Sequence, residues 1–511
     1  MRSSLPGFFL LLPGWKQRWR SAFLKRLKPG RADRQGRKEG DGDPGSPYEL
    51  PAGNSLGLPL AIPRRERCHG ELWFEVKGGL SEEMKIPKLF WVFAAFMCAA
   101  MFAIYIKWNL NVKTRDLPDD LNNQLDGETI FYGIMFDAGS TGTRIHVFKF
   151  SQKPKEIPRL IHTTFRAIKP GLSAYADNVD KSAEGINELL AVAKEDVPEN
   201  LWKSTPLVLK ATAGLRLLPG EKAQELLDKV KSVFQQSPFL VGDDCVSIMD
   251  GTDEGISAWV TVNFLTDRLN SPEKKCVGML DLGGGSTQIT FHPSTKTTPE
   301  STLSSHSTSF QIFSTTYQLY SYSFLGLGLM SARLAILGGI QGQALLEGEK
   351  LTSPCLPPDF QGEWEHAKIT YQIKGQKAGE SPFESCFNEI AKHLSKKIDK
   401  ADEVKDVEFY AFSYYHDRAV DAGLIDAEKG GALAVSDFET AAKKACNTME
   451  VDKGEHPFLC MDLTYIIFLL EELGFPKNYV FKLARKIKDS ETSWALGAIL
   501  HYMDSRYNLQ H

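Results

Sequence analysis

A chain of 511 residues is too long for one ordinary hydrophobic core and suggests two lobes once any tail is set aside. Hydrophobic residues make up 42% and charged residues 24% of the chain, a composition typical of a globular protein. The formal net charge is only -4, so we expect no nucleic-acid partner.

The first 88 residues form a basic segment rich in proline and glycine. They carry 17 Lys and Arg against 10 Asp and Glu, and such a composition buries too little apolar surface to order itself. We therefore predict a disordered tail over 1–88. The next segment, Leu89–Ile106, has no charged residue and is flanked by lysines. At 1.5 Å per residue its helix would just span a bilayer, so we predict a transmembrane anchor over 89–106.

Two other interpretations of this apolar segment are a cleaved signal peptide and a buried core helix. A signal peptide has a shorter apolar region and does not normally lie so far from the N terminus. The basic tail before the anchor places the tail in the cytoplasm and the rest of the chain across the membrane. Met84 could serve as an alternative start, which would leave a segment closer to a signal sequence, so a secreted form stays open.

The segment after the anchor, 107–127, is polar and acidic toward its end, and we predict a stalk there. Beyond the anchor the cysteines form no CxxC pair and have no zinc-finger spacing, so we expect disulfides rather than zinc. Spacing alone leaves all pairings open. The cysteines concerned are Cys245, Cys276, Cys355, Cys386, Cys446 and Cys460.

Strands and helices alternate from Thr129 onward, which predicts an α/β sheet with helices packed on it. In the first half the pattern predicts strands FYGIMFD and RIHVFKF, helix SAEGINELLAVAKEDV, strand TPLVLKATA and helix GEKAQELLDKVKSVFQQ. In the second half it predicts the strand, turn and strand KCVGMLDLGGGSTQITF, helix FESCFNEIAKHLSKKI and strand DVEFYAFSYY.

One short stretch occurs twice in the chain. DAGSTGTR at 137–144 returns as DLGGGSTQ, 144 positions later. In each copy a strand ends in Asp, a turn of Gly, Ser and Thr follows, and a second strand begins. Such a turn exposes backbone N–H groups and hydroxyls that bind phosphate oxygens. The predicted phosphate-binding residues are Gly139, Ser140, Thr141, Gly142, Thr143, Gly283, Gly284, Gly285 and Ser286.

The aspartates at the two strand ends, Asp137 and Asp281, could hold a divalent cation or its waters. One such turn alone would be an ordinary hairpin. Two in register indicate a duplicated lobe, the arrangement of the actin, heat-shock chaperone and sugar-kinase superfamily. We therefore predict two actin-like, ribonuclease H-like lobes with a nucleotide cleft between them. Neither a P-loop nor a dinucleotide-binding GxGxxG motif is present.

Five blocks in order resemble the ectonucleoside triphosphate diphosphohydrolase (apyrase) family. They are DAGSTGTR at 137–144, LKATAGLRLL at 209–218, GTDEGISAWVTVNFL at 251–265, MLDLGGGSTQITF at 279–291 and SWALGAIL at 493–500. Within the family the chain looks like the single-anchor branch that hydrolyses nucleoside diphosphates. The resemblance implies lobe I over 128–250 plus 484–511 and lobe II over 251–483.

The resemblance also assigns roles to residues. Glu254 matches the catalytic base, although Asp250 and Asp253 are rival carboxylates when the residues are considered alone. Ser286 and Gln288 match the positions that orient the attacking water. Asp137 and Asp281 match the carboxylates that hold hydrated Ca²⁺ or Mg²⁺, and Thr212 matches a partner of the metal through water. We expect Arg216 to be a structural salt-bridge donor rather than a phosphate ligand.

Aromatic side chains are expected to stack on the base, and the candidates are Tyr414, Tyr415 and Trp494. The plasma-membrane members carry a longer aromatic run, so the stacking partner is not fixed by the resemblance. Family resemblance pairs Cys355 with Cys386 and Cys446 with Cys460. It leaves Cys245 and Cys276 either as a pair or as two free thiols.

The expected activity is cation-dependent hydrolysis of GDP, IDP and UDP, and less of triphosphates, in the secretory lumen. The expected location is the Golgi membrane, single-pass type II with luminal lobes, with a secreted or cell-surface form also open. We expect a monomer. Alternatives are a noncatalytic nucleotide-binding module and a kinase of the actin-like superfamily. Release of phosphate from a nucleoside diphosphate without an acceptor sugar would separate these from a hydrolase.

Overall fold

The computed structural model describes residues 127–218, 220–271, 273–293, 306–449 and 456–507. The predicted tail and anchor, and the stalk up to residue 126, lie outside these ranges. Within them, no helix combines the length and apolarity that a membrane crossing requires. The described residues belong to one compact unit.

The strands fall into two main sheets, here numbered in chain order with the helices. The first sheet consists of β1 (Thr129–Ala138), β2 (Thr143–Gln152), β3 (Arg159–Ile168), β4 (Leu207–Ala211) and β5 (Val246–Ile248). The second consists of β6 (Gly278–Leu282), β7 (Ser286–Phe291), β8 (Ser307–Ile312), β9 (Thr315–Leu325), β13 (Phe409–Ser413), β14 (Gly431–Ala434) and β15 (Val480–Leu483).

Two smaller sheets complete the strands of the described chain. They comprise β10 (Leu351–Ser353), β11 (Gln361–His366) and β12 (Ile369–Gly375) in one, and β16 (Lys486–Ile487) and β17 (Ser490–Glu491) in the other. Short 3₁₀ turns occur at Leu172–Tyr175, Glu199–Ser204 and Asp402–Asp406.

The α-helices cover the faces of the two main sheets. They are α1 (Val179–Asp196), α2 (Ala213–Arg216), α3 (Gly220–Gln235), α4 (Gly251–Leu265), α5 (Leu329–Ile336), α6 (Pro382–Leu394), α7 (Tyr414–Asp421), α8 (Val435–Thr448), α9 (Leu459–Glu472) and α10 (Trp494–Tyr507).

The strand order of the first sheet recurs inside the second. The first sheet has the order β3-β2-β1-β4-β5. The second contains β9-β7-β6-β13-β15, with β8 and β14 added at its edges. The directions also match, because β1 and β6 each pair antiparallel with the next strand and parallel with β4 and β13, respectively. The repeated sequence stretch therefore marks a repeated sheet.

Three hydrophobic cores hold these layers together. Helices α1 and α3 pack on the first sheet, and α8 and α9 belong to the core of the second. A central core contains α4 and α10, together with Met135 and Val208 from the first sheet and Met279 and Phe412 from the second. Helix α4 is buried nearly all round because it lies within this central core.

Most predicted elements are present, with one boundary that matters for the site. The strand predicted over DVEFYAFSYY ends at Ser413, and Tyr414 begins helix α7. The predicted helix FESCFNEIAKHLSKKI begins at Pro382, with the Ser381 hydroxyl accepting from the N–H of Glu384, and ends at Leu394. Ser395 ends this helix because its backbone is no longer helical.

The two disulfides implied by the family resemblance are confirmed. Cys355 is bonded to Cys386 and Cys446 to Cys460. Cys245 and Cys276 are free thiols, which decides the alternative that the sequence left open. Burial raises the pKa of Cys276 to about 11, so its thiol stays protonated near neutral pH.

Candidate active site

The two repeated turns are closed by the same backbone hydrogen bond. In the β1–β2 turn, the N–H of Gly139 donates to the carbonyl of Gly142 over 3.0 Å. In the β6–β7 turn, the N–H of Gly283 donates to the carbonyl of Ser286, also over 3.0 Å. Asp137 and Asp281 occupy equivalent places, one residue before the end of each first strand.

The two turns meet face to face. A Cβ built on Gly284 would lie 2.6 Å from the Ser140 Oγ and 3.0 Å from the Thr141 Cγ2. A side chain there would displace the Ser140 hydroxyl or the Thr141 methyl group, so glycine lets the two turns pack at this distance. Two concave turns this close can surround one small anion with backbone N–H groups and hydroxyls from both sides.

A cavity of about 410 Å³ opens beside the turns. Most residues predicted for the site line it, and they come from both sheets and from three helices. These are Asp137, Gly139, Ser140, Thr141, Thr212, Glu254, Asp281, Gly283, Gly284, Gly285, Ser286, Tyr414 and Trp494.

Four predicted residues do not line the cavity. Thr143 is buried as the first residue of β2, and the carbonyl of Gly142 closes the turn; phosphate binding by these two residues stays a prediction. Tyr415 is 1% exposed and lies in the core, so it cannot stack on a base. Helix α7 begins at Tyr414, and Tyr415, the next residue of the helix, points into the core. Gln288 is buried behind Ser286.

The structure separates Glu254 from its two rival carboxylates. Asp250 is the N-cap of α4, and its Oδ1 accepts the N–H of Thr252 over 2.7 Å. Asp253 is exposed and lies outside the cavity lining. Glu254 is 7% exposed and lines the cavity, because adjacent helix positions point about 100° apart. The geometry therefore leaves Glu254 as the carboxylate of this helix that can reach a bound substrate.

Two side chains hold the Glu254 carboxylate. Arg216, at the end of α2, forms an ion pair with Glu254 Oε2. Gln288 Nε2 lies 3.2 Å from the same oxygen and donates to Ser286 Oγ over 2.8 Å. A chain of polar contacts thus joins Glu254 to a hydroxyl of the second turn. Arg216 is a salt-bridge donor, as expected, but its partner is a residue of the candidate site.

Three buried acids share this region, and each has a raised pKa. Burial raises the pKa of Glu254 to about 8, with the charges of Asp281 and Asp137 adding to the rise and Arg216 opposing it. Burial also raises the pKa of Asp137, against the lowering effect of Arg144. For Asp281, burial raises the pKa while a hydrogen bond with the Ser413 side chain lowers it. Placing a cation here would relieve this repulsion.

The residues present fit a divalent cation. Asp137 Oδ1 and Asp281 Oδ1 are buried and have no hydrogen-bond partner, which is costly unless something charged or polar binds them. Carboxylate oxygens are the ligands that Ca²⁺ and Mg²⁺ take. In the described ranges no cluster of three or more His, Cys, Asp or Glu could hold a metal unaided. Waters and substrate phosphates would therefore complete the coordination, as Mg²⁺ commonly uses them.

Thr212 joins this acidic group from the first sheet. Its N–H donates to the carbonyl of Ala138, at the end of β1, over 3.2 Å, and its own carbonyl accepts from Leu215 and Arg216. The backbone of Thr212 thus connects the first turn to the helix that carries Arg216. The side chain is 5% exposed and lines the cavity, where a cation-bound water could reach it.

Sequence reasoning missed Arg144, Ser413 and His146. Arg144 Nη1 donates to Asp137 Oδ2 over 2.9 Å. His146 lies two residues further along β2, and burial lowers its pKa to about 3. Ser413 has φ 55° and ψ -124°, a conformation that costs a non-glycine residue free energy and often marks functional sites. Its position at a strand end beside Asp281 is the signal that could have revealed it.

Comparison with known proteins identifies the family. The profile of the GDA1/CD39 (nucleoside phosphatase) family matches residues 123–407. This chain belongs to the GDA1/CD39 family. A nucleoside phosphatase hydrolyses phosphate from a nucleoside phosphate, and the face-to-face turns with a buried carboxylate suit that reaction. The expected hydrolase class and family are confirmed.

Named relatives of this nucleoside phosphatase are similar over most of its length. The Homo sapiens protein named ectonucleoside triphosphate diphosphohydrolase 6 is 58% identical over 427 residues, which cover 80% of this chain and 88% of that protein. The Homo sapiens nucleoside diphosphate phosphatase ENTPD5 is 51% identical over 376 residues, covering 73% and 88%. One of these two names describes a nucleoside diphosphate phosphatase.

The fold class is confirmed by a solved structure as well as by the strand order. The crystal structure of nucleoside triphosphate hydrolases from Neospora caninum aligns with a TM-score of 0.54 and 14% identity, covering 80% of this chain and 98% of that chain. The nucleoside phosphatase therefore has the predicted α/β fold of two actin-like lobes.

Proposed function

We propose that this nucleoside phosphatase hydrolyses nucleoside diphosphates, above all GDP, IDP and UDP, to the monophosphate and phosphate. The observation that carries the proposal is the position of Glu254. Its carboxylate lines the cavity beside the two turns and is joined to Ser286 of the second turn through Gln288. A base at this place could take the proton of a water that attacks the terminal phosphorus.

The other residues have matching proposed roles. Backbone N–H groups and hydroxyls of 139–143 and 283–286 hold the phosphates, and Ser286 and Gln288 orient the water. Asp137 and Asp281, with Thr212 through water, hold Ca²⁺ or Mg²⁺, which supplies positive charge to the phosphate oxygens. Tyr414 and Trp494 remain the candidates for stacking on the base. We also retain the lobe limits 128–250 plus 484–511 and 251–483 as part of the proposal.

A phosphate-release assay tests this function. The chain from residue 108 onward is incubated with GDP or UDP, Mg²⁺ or Ca²⁺, and no acceptor sugar. We expect inorganic phosphate in equal amount to the monophosphate, and none after EDTA. Glu254→Gln should lower turnover by roughly 10² to 10⁴, the effect of losing a general base. Asp253→Asn, which removes an exposed carboxylate of the same helix, should leave turnover close to that of the wild type.

Two outcomes would contradict the proposal. Activity that persists in EDTA would remove the cation from the mechanism, and full activity in Glu254→Gln would place the base elsewhere. Glu254→Gln must retain the circular dichroism spectrum and melting temperature of the wild type. A loss of turnover then reflects the missing carboxylate and not misfolding.

We also propose that the enzyme is a single-pass type II protein of the Golgi membrane with its catalytic lobes in the lumen. The two disulfides of the second lobe support an oxidising compartment. There the enzyme would clear the nucleoside diphosphates that glycosyltransferases release. Protease treatment of sealed Golgi vesicles should leave the lobes intact until detergent is added, and digestion without detergent would refute this orientation.

A further inference from the structure

Helix α7 leads away from the phosphate turns along the wall of the cavity. It begins directly after Ser413, which ends β13 opposite Leu282, the residue that follows Asp281. Asp417 lies four residues beyond Ser413, one turn and about 6 Å further along the helix axis. Both residues line the same cavity. A ligand that places its phosphates at the turns could therefore reach Asp417 with its other end.

The Asp417 carboxylate is available to a ligand. Its side chain is 54% exposed, and within the described chain its one ion-pair contact is with His416, at 3.4 Å from Nδ1. His416 itself is only 3% exposed, lines the cavity, and has a buried Nε2 without a hydrogen-bond partner. A buried polar atom left unpaired beside a cavity points to a polar ligand there.

An aromatic ring is fixed next to this carboxylate. Tyr414 lines the cavity, and the Arg418 guanidinium lies 5.7 Å from the centre of its ring. Arg418 Nη1 in turn donates to Asp462 Oδ2 over 3.2 Å, and Asp462 is fully buried and also bound by Arg333. Arg418 thus connects the Tyr414 ring to the buried Asp462. A planar base could stack on this ring while the edge of the base meets Asp417.

A carboxylate distinguishes bases by their ring nitrogens. Guanine and hypoxanthine carry N1–H, and uracil carries N3–H, so each can donate a hydrogen bond to a carboxylate. At the corresponding ring position adenine N1 and cytosine N3 carry a lone pair that a carboxylate repels, and only their exocyclic amino group can donate to it. We propose that Asp417 selects nucleotides whose base has a ring N–H over adenine and cytosine nucleotides. The inference rests on the proposed hydrolysis of nucleoside diphosphates and adds the residue that sets base preference.

The test compares the GDP to ADP and UDP to CDP ratios of kcat/KM in the wild type and in Asp417→Asn. The asparagine amide can donate to adenine N1, so each ratio should fall about tenfold, in line with the discrimination from one well-placed base contact. Glu428→Gln is the control. It removes an exposed carboxylate outside the cavity lining and should keep both ratios.

A substrate change provides a second measurement on the unaltered enzyme. In 1-methylguanosine diphosphate a methyl group replaces N1–H, so the wild type should use it about tenfold less well than GDP. Asp417→Asn should show little difference between the two. Unchanged ratios in Asp417→Asn, or equal use of GDP and its 1-methyl derivative by the wild type, would overturn the inference.

Failure of the proposed function would give a different result. A wild type that releases no phosphate from any diphosphate would refute the hydrolysis. Calorimetric binding of GDP and ADP to the wild type and to Asp417→Asn would then still decide the base preference. Equal affinities for GDP and ADP in the wild type would reject the role of Asp417.

Discussion

Glu254 owes its chemical character to residues distant in sequence. Burial in the first turn of α4 and the charges of Asp281 and Asp137 favour its neutral form, while Arg216 favours the carboxylate. A general base works best with a pKa near the operating pH, and a value of about 8 meets that condition. A carboxylate with only a structural role would need to stay ionised to keep its ion pair, whereas this environment favours the neutral form.

This environment predicts the pH dependence of the enzyme. The proposed base, Glu254, would act in its deprotonated form, so kcat/KM should rise with pH and level off above its pKa. In the free enzyme the midpoint should lie near pH 8, and higher Mg²⁺ should move it down because a nearby cation favours the carboxylate. Arg216→Gln removes a charge that lowers this pKa, so it should move the midpoint to higher pH.

The measurement is kcat/KM for GDP from pH 5 to 10 at several Mg²⁺ concentrations. Lys222→Gln provides a control, since it removes a cation that pairs with exposed Asp177. A midpoint near pH 4 to 5 at all Mg²⁺ concentrations, the ordinary range of Glu, would contradict the raised pKa. A midpoint unaffected by Arg216→Gln would show that this arginine does not tune the base.

At the scale of elements, the site depends on two hairpins that have the same geometry and meet at their turns. Each contributes an aspartate before its turn and small residues within it. The turns come from different sheets, so their separation is set by the packing of helices α4 and α10 in the central core. The closest approach is at Gly284, opposite Ser140.

Gly284→Ala should therefore displace the Ser140 hydroxyl, a proposed phosphate ligand, without unfolding either sheet. The added methyl would lie 2.6 Å from Ser140 Oγ, which is too close for atoms that are not bonded. Misplacement by about 1 Å can cost roughly 10² in rate, so we expect kcat/KM for GDP to fall by about that factor. The melting temperature should change by only a few degrees. Both quantities are measured on the same preparation.

Gly220→Ala is the matched control for this variant. A Cβ at Gly220 meets nothing within 4 Å, and Gly220 is the first residue of helix α3. Its activity should equal that of the wild type. If Gly284→Ala also kept full activity, the position of the Ser140 hydroxyl would not matter for catalysis.

At the scale of the whole molecule, one repeated turn from each of the two main sheets lines the cavity. In the proposed function the two turns together hold the two phosphates of a diphosphate, and a third phosphate has no turn of its own. A triphosphate should therefore bind with its terminal group poorly aligned with Glu254. We expect kcat/KM for GDP, IDP or UDP to exceed that for the matching triphosphate by about tenfold, a difference of roughly 1.4 kcal/mol in transition-state binding.

Steady-state kinetics with paired diphosphates and triphosphates at fixed free Mg²⁺ would measure this ratio. Equal or higher values for GTP and UTP would reject the diphosphate preference while leaving the hydrolase class intact. The ratio should be similar for different bases, because the phosphates and the base occupy different parts of the cavity.

The sequence by itself determined the duplicated fold and the position of the phosphate turns. An apolar strand that ends in Asp, followed by Gly, Ser and Thr, is a local pattern, and local backbone preferences are enough to form it. Its return after 144 residues showed the repeat before any contact was known. Family resemblance added the two disulfides, which spacing alone could not pair.

Only the tertiary structure decided which of these side chains reach the cavity. Asp250, Asp253 and Glu254 are equivalent in sequence, but helix rotation and the helix cap leave Glu254 at the site. Tyr415 was a stacking candidate until the start of α7 placed it in the core. The surroundings of Asp417 include Ser413 at the end of β13, Arg418, which bonds to Asp462, and the buried His416. Burial and charge depend on the packing of residues far apart in the chain, which sequence patterns do not specify.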